Sequence, residues 1–291
     1  SDEGRAYGTP DRGFGGGPGG PISLLNTRRI GGAALYDIPS GVEVVPTDVS
    51  QPSDLLGAGK FAGQTGNLRY GALFASEDDS QIRGQREDGT PVAIKATGRD
   101  FMVGRLLYED TGGGSRRSIG WMGTNYDHPD LKATVNAIDM HYFSADQQWI
   151  IDTQLMHSDV EGVTGFGFLA DLSYIPAQGV QHTAIATYID DEFDMDELGF
   201  LSRNDQMNLD YTFTLTESDI PNLNSRVTTV NLSNRFNTDG DLVISGQFLG
   251  RTWNYTNNDS ANVQLAYYPP RVDDRLGRGT GKFEIPERWG L

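Results

Sequence analysis

The sequence predicts an all-β protein: an antiparallel up-and-down transmembrane β-barrel, or the ordered part of a larger one. Three observations carry that expectation. Hydrophobicity alternates with period 2 over most of the chain after residue 22. The alternating stretches run to about ten residues, longer than the common globular strand and long enough to cross a bilayer at a tilt. Aromatic residues gather near their ends, at Trp121, Tyr126, Tyr142, Trp149, Tyr174, Tyr188, Trp253, Tyr255, Tyr267 and Tyr268, where a membrane barrel carries its interfacial girdle. A soluble sandwich or β-solenoid with core aromatics beside its turns also alternates, and stands as the competing fold.

Residues 1–21 read as a Gly/Pro-rich loop or linker, because Gly13-Phe14-Gly15-Gly16-Gly17-Pro18 is costly to order on its own. These glycines are not a phosphate loop, since no Gly-Lys-Ser/Thr follows. Residues 22–291 read as the barrel domain, with about 11–13 strands. The clearest strand is Met207 to Thr216. There Met207, Leu209, Tyr211, Phe213 and Leu215 share one face, and Asn208, Asp210, Thr212, Thr214 and Thr216 the other. Similar stretches lie near 67–76, 98–109, 116–126, 132–143, 147–158, 162–175, 180–190, 226–236, 241–252 and 260–268, with further strands at 55–63 and 23–36. Ser144-Ala145-Asp146, Pro176-Ala177-Gln178-Gly179 and Asn237-Thr238-Asp239-Gly240 have the small, polar chemistry of hairpin turns. Asp130-Leu131-Lys132-Ala133 has the look of a helix start, but the residues after it alternate, so it is assigned to a strand.

Composition narrows the function classes. Acidic residues number 40 and basic residues 23, a net charge of −17. That balance argues against a general nucleic-acid binder. With no cysteine, thiolate metal sites, thiol catalysis and disulfides are excluded. No run approaches the roughly 18 apolar residues of a membrane-spanning helix. The opening Ser1-Asp2-Glu3-Gly4 and the closing Arg288-Trp289-Gly290-Leu291 are expected of a processed chain or a fragment.

The polar positions of the alternating strands are the candidate lumen-facing residues: Arg99, Arg105, Asp139, Asp152, Gln154, Asp171, Asn208, Asp210, Asn231 and Gln247. In a pore they would tune charge selectivity, with the acidic excess favouring cations. Their plain role is to satisfy one another in a wet or plugged interior. A one-residue slip in register reverses these faces. The densest acidic run, Asp190 to Glu197, offers Asp190, Glu192, Asp194 and Asp196 as an irregular Ca²⁺ site. Met195 stands where an EF-hand needs glycine and Leu201 where it needs glutamate, so a solvated loop is the plain reading. No carboxylate pair stands out for glycoside hydrolysis, and the expectation is a protein that is not an enzyme. His141 and His157 fall on adjacent strands where they face one another, but two histidines do not make a zinc site.

Asn26-Thr27-Arg28-Arg29-Ile30-Gly31 resembles the Ser-Arg-Arg-Ile-Gly segment of a bacterial outer-membrane β-barrel family of uncharacterised function. Leu56 to Gly63 with Gly66 and Tyr70-Gly71-Ala72-Leu73 resembles that family's next strand pair. Ser118-Ile119-Gly120 with Thr124-Asn125 is similar to its Ser-x-x-Gly-x-x-x-Thr-Asp/Asn element. Asp191-Glu192-Phe193-Asp194 through Leu198-Gly199-Phe200 and Arg203 is similar to its Asp-x-Phe-Asn-Pro-x-x-Gly-Phe-x-x-Arg motif. The family usually follows a family 9 carbohydrate-binding-like domain, which this chain lacks, and its barrels run longer. Asp194-Met195-Asp196 stands where the family has Asn-Pro. The resemblance brings no catalytic residues. It implies the cell outer membrane, with membrane lipid as a partner.

Together these readings predict an outer-membrane barrel acting as a pore, transporter or surface scaffold. A link to saccharide handling rests only on the family's usual domain company. Two alternatives stand beside it: a secreted all-β glycan-binding module, and a subunit of a larger outer-membrane assembly.

Overall fold

The computed structural model describes residues 22–275 and 281–291. The Gly/Pro-rich segment 1–21 lies outside the described residues. The strands in chain order begin with β1 (Val42–Val44), β2 (Leu55–Thr65), β3 (Leu68–Glu77), β4 (Ser80–Arg86), β5 (Pro91–Ala96) and β6 (Asp100–Asp110). Next come β7 (Arg116–His128), β8 (Leu131–Phe143), β9 (Trp149–Val160), β10 (Val163–Ala177), β11 (Val180–Ile189) and β12 (Gln206–Glu217). The last are β13 (Leu223–Phe236), β14 (Leu242–Tyr255), β15 (Ser260–Tyr268), β16 (Arg271–Asp273), β17 (Phe283–Ile285) and β18 (Arg288–Gly290).

Thirteen strands form one antiparallel sheet in the order β18-β15-β14-β13-β12-β11-β10-β9-β8-β7-β6-β3-β2. Most neighbours in the sheet are neighbours in the chain, as the short turns predict. The β4–β5 hairpin leaves the main sheet between β3 and β6 and pairs with β1. Glu87-Asp88-Gly89-Thr90 makes its turn, with Gly89 at φ 84 and the Asp88 carboxylate accepting from the Thr90 amide.

The sheet does not close. A barrel requires hydrogen bonds between its first and last strands. Here β2 pairs with β3, β18 pairs with β15, and the two edges stay apart. The predicted transmembrane barrel, and the pore or transporter built on it, are therefore corrected to an open antiparallel sheet. The reason is physical. Strand length, alternation and turn chemistry are local and identical in open and closed sheets, whereas closure depends on whether two distant edges meet. The segment 23–36 is also not a strand. Asn26 caps a short 3₁₀ turn at Thr27–Arg29, its side chain accepting from the Arg28 amide at 3.2 Å.

Because side chains alternate, the sheet has two distinct faces. The core lies on one of them, where Phe101, Val103, Met122, Tyr126, Val135, Met156, Leu169 and Ile189 are buried. It is covered by two segments outside the strands. One contributes Ile22 and Leu24, the other Phe193, Met195 and Leu198. The two segments bond to each other: the Ser23 amide donates to the Phe200 carbonyl at 3.0 Å, the Phe200 amide returns a bond at 2.7 Å, and Asn26 N donates to Leu198 O at 2.6 Å. Gly165 makes the close approach possible, since a Cβ there would lie 2.3 Å from the Phe193 backbone.

Candidate functional site

Two features stand out, one on each face. The first is a polar strip that continues the core face along the strands. Arg105 on β6 reaches across β7 and donates from both terminal nitrogens to Asp139 on β8, with Nη2 2.8 Å from Oδ2. Gly120 lies between them, and its lack of a side chain opens the path. His141 follows, with Nδ1 2.5 Å from Asp152 Oδ1 and Nε2 3.5 Å from Asp139 Oδ2. Asp171 stands opposite Asp152 in the β9–β10 register. Further along, Ser233 Oγ donates to Asp210 at 2.5 Å, Arg235 Nε to Asn208 at 2.6 Å, and Asn231 to Thr212 at 3.2 Å. Gln154 is buried beside Asp139.

Arg99 lies just before β6, on the same side. Its guanidinium holds the buried Glu77 carboxylate at 2.5 and 2.9 Å and donates to Gly32 O at 2.9 Å. Glu77 also accepts from the Gly31 amide at 2.8 Å. The Arg28-Arg29-Ile30-Gly31 segment is thus tied to the sheet through a buried ion pair.

Nine of the ten sequence-predicted polar residues therefore share one face: Arg99, Arg105, Asp139, Asp152, Gln154, Asp171, Asn208, Asp210 and Asn231. Gln247 does not join them. It pairs with Leu232 and Tyr267 on the opposite face and is exposed. Phe248 turns inward instead, edge-on to Tyr268 at 5.5 Å. His141 and His157 also part company, because His157 packs against Phe166 on the other face with centroids 4.9 Å apart.

The acidic loop does not pool its carboxylates. Asp190 Oδ1 accepts from the amides of Glu192 and Phe193, and Oδ2 from that of Phe166. Asp194 accepts from Asp196 N, and Asp196 from Leu201 N. These are loop-forming bonds to backbone amides. Among the described residues no group of three or more His, Asp or Glu side chains is arranged as a metal set, Asp190, Glu192, Asp194 and Asp196 included. Two groups in this region have perturbed ionisation. Burial and the nearby Asp194 and Asp196 push the Glu197 carboxyl up. The Arg203 guanidinium, 2.5 Å from Asp274, holds that carboxyl below its usual range. Sequence reasoning missed Glu77, Arg235 and the Arg203–Asp274 pair, whose partners lie far apart in the chain.

The second feature is the opposite face. Phe61, Phe74, Met102, Leu106, Ile119, Trp121, Ile138, Met140, Leu155, Phe166, Met207, Leu209, Leu232, Leu249, Val263 and Leu265 project from it, and all are exposed. Leu155 is 59% exposed, Leu209 58% and Phe61 57%. The apolar surface runs from β2 to β15, twelve strands, or about 50 Å at the usual strand spacing. A soluble monomer's largest apolar patch is about 300–600 Å², and larger ones mark interaction surfaces. Most of its charged side chains stand at the strand ends: Asp100, Asp127, Lys132 and Asp159 at one end, Asp110, Arg117, Glu217 and Arg226 at the other, while Arg251 lies inside β14 and donates to Thr228 at 3.1 Å. Some of its mid-strand polar groups pair with each other, as Asn234 does with Ser245 at 2.7 Å and Asn125 with Thr134 at 3.1 Å. An in-register row of rings, Trp149, Tyr174, His182 and Phe213, crosses four strands near one end. Trp149 and Tyr174 stack at 4.1 Å, and His182 Nδ1 lies 2.8 Å from the Tyr211 hydroxyl. Among the described residues no helix is long and apolar enough to cross a membrane, which says nothing about strands. The chain matches no family model, no curated protein and no solved structure.

Proposed function

We propose that this chain is a wall-forming subunit of a larger outer-membrane assembly. Its apolar face lies against lipid acyl chains and its polar face is turned to the interior of the assembly. The observation that carries this reading is the twelve-strand apolar face with most of its charges at the strand ends among the described residues. A band of that kind matches the layered polarity of a bilayer, apolar in the middle and wet at both rims. The two free sheet edges support it too. An unpaired edge in lipid leaves backbone groups without partners, so strands from elsewhere in the assembly complete β2 and the part of β15 that β18 leaves unpaired. The resemblance to an outer-membrane family agrees with that location.

Cell fractionation tests the proposal. The protein is expected in the outer-membrane fraction, resistant to carbonate washing and released by detergent in a complex larger than its own 31.8 kDa. Recovery as a detergent-free monomer would overturn it and favour a secreted all-β glycan-binding module.

A further inference from the structure

The polar strip is balanced in charge except at one place. Arg105 and His141 answer Asp139 and Asp152. Asp210 accepts from Ser233 and has Arg235 beside it. Asp171 has no such answer, for the charges that act on it, Asp152 and Asp210, are both negative. Its Oδ1 is buried and has no hydrogen-bond partner. Gln154 sits diagonal to it, since Asp171 pairs with Asp152 and Leu169 with Gln154. Diagonal same-face neighbours are within reach of a long side chain. Gln154 is only 3% exposed, and its Oε1 is likewise buried without a partner.

Two buried acceptors on diagonal same-face positions, with one uncompensated negative charge, call for a ligand that donates and carries one positive charge. A metal ion fits poorly, because no metal set is present among the described residues. An anion is excluded by the carboxylates. We propose that Asp171 and Gln154 bind a small primary alkylammonium ion, with Asp152 completing the acceptors. Three N–H donors on one cation match the orphaned Oδ1 and Oε1 and the facing carboxylate. The inference rests on the polar face alone and does not depend on what covers the apolar one.

Ethylammonium chloride is the probe. Thermal unfolding of the full chain is followed in ethylammonium, tetramethylammonium and sodium chloride at equal ionic strength. Ethylammonium is expected to raise the midpoint above the other two, since tetramethylammonium has the charge without the donors. Asp171→Asn is expected to abolish the increment. Gln154→Leu keeps the charge and should weaken binding about tenfold, the loss of roughly one charge-assisted hydrogen bond. Asp159→Asn, at an exposed turn carboxylate, should leave it unchanged. An equal shift with tetramethylammonium would overturn the proposal, as would an undiminished increment in Gln154→Leu. Should Asp171→Asn fail to fold, those two comparisons still decide.

Discussion

Gly120 faces Asp139 across the β7–β8 pair, and its missing side chain is what lets Arg105 reach that carboxylate from two strands away. A Cβ at Gly120 would lie 2.6 Å from Arg105 Nη2 and 2.7 Å from Asp139 Oδ2. Asp139 is 2% exposed, so its charge needs the guanidinium. Gly120→Ala should therefore cost up to about 3–5 kcal/mol, the range for breaking a buried ion pair. Equilibrium denaturation would measure it, and an unchanged midpoint would mean that the pair relaxes around the methyl group.

Gly165 plays the same part for the covering loop. A side chain there meets the Phe193 backbone, which cannot step aside as a flexible side chain can. Gly165→Ala should lift the 190–201 loop and unlock Phe193, Met195 and Leu198 from the core. Amide exchange in that loop should quicken, with global stability lower by about 1–3 kcal/mol.

Glu197 gives a pH dependence with a definite sign. Its Oε2 is buried without a partner, and its carboxyl is pushed above the ordinary value near 4.5. The folded state therefore binds that proton more tightly than the unfolded state does. Its stabilising effect is complete below about pH 4.5 and is lost as the pH rises through the folded value. Glu197→Gln should raise stability at pH 7 and have little effect at pH 4, read from denaturation midpoints at both.

Leu209 lies mid-strand on the apolar face and is 58% exposed, a position that would tolerate arginine in water. Against lipid, Leu209→Arg should cost about 2–4 kcal/mol near mid-depth. Membrane recovery should fall. A protein recovered in wild-type yield would mean that no acyl chain touches this residue.

Much of the sheet was legible because its signals are local. The Met207–Thr216 alternation became Gln206–Glu217, the turns at Ser144 and Asn237 lie where their chemistry puts them, and the one expected at 176–179 narrows to Gln178-Gly179, with Pro176 and Ala177 in β10. The β4–β5 hairpin went unread, although Asp88-Gly89 is a turn signal between alternating residues. Gln247 was placed on the wrong face because the β14 sequence favours Leu242, Ile244, Gly246 and Phe248 as its apolar side. Pairing with β13 overrides that preference, setting Gly246 opposite Ser233 after a register shift at Phe236. Phe248 is then carried to the polar side, where Tyr268 receives it. The carboxylates of the acidic run looked poised for a cation, but backbone amides of their own loop claim those of Asp190, Asp194 and Asp196. Closure was beyond reach, since nothing in a strand's own sequence records whether its free edge meets another.

The central claim is that the apolar face touches lipid, and Trp121 reports on it most directly. Trp121 projects from mid-strand on that face and is 39% exposed. Trp149, Trp253 and Trp289 replaced by phenylalanine leave it as the single fluorophore. In the membrane-reconstituted protein, lipids brominated near the middle of the acyl chain should quench its emission strongly, and aqueous iodide should not. Quenching by iodide with indifference to brominated lipid would place this face in water and contradict the account.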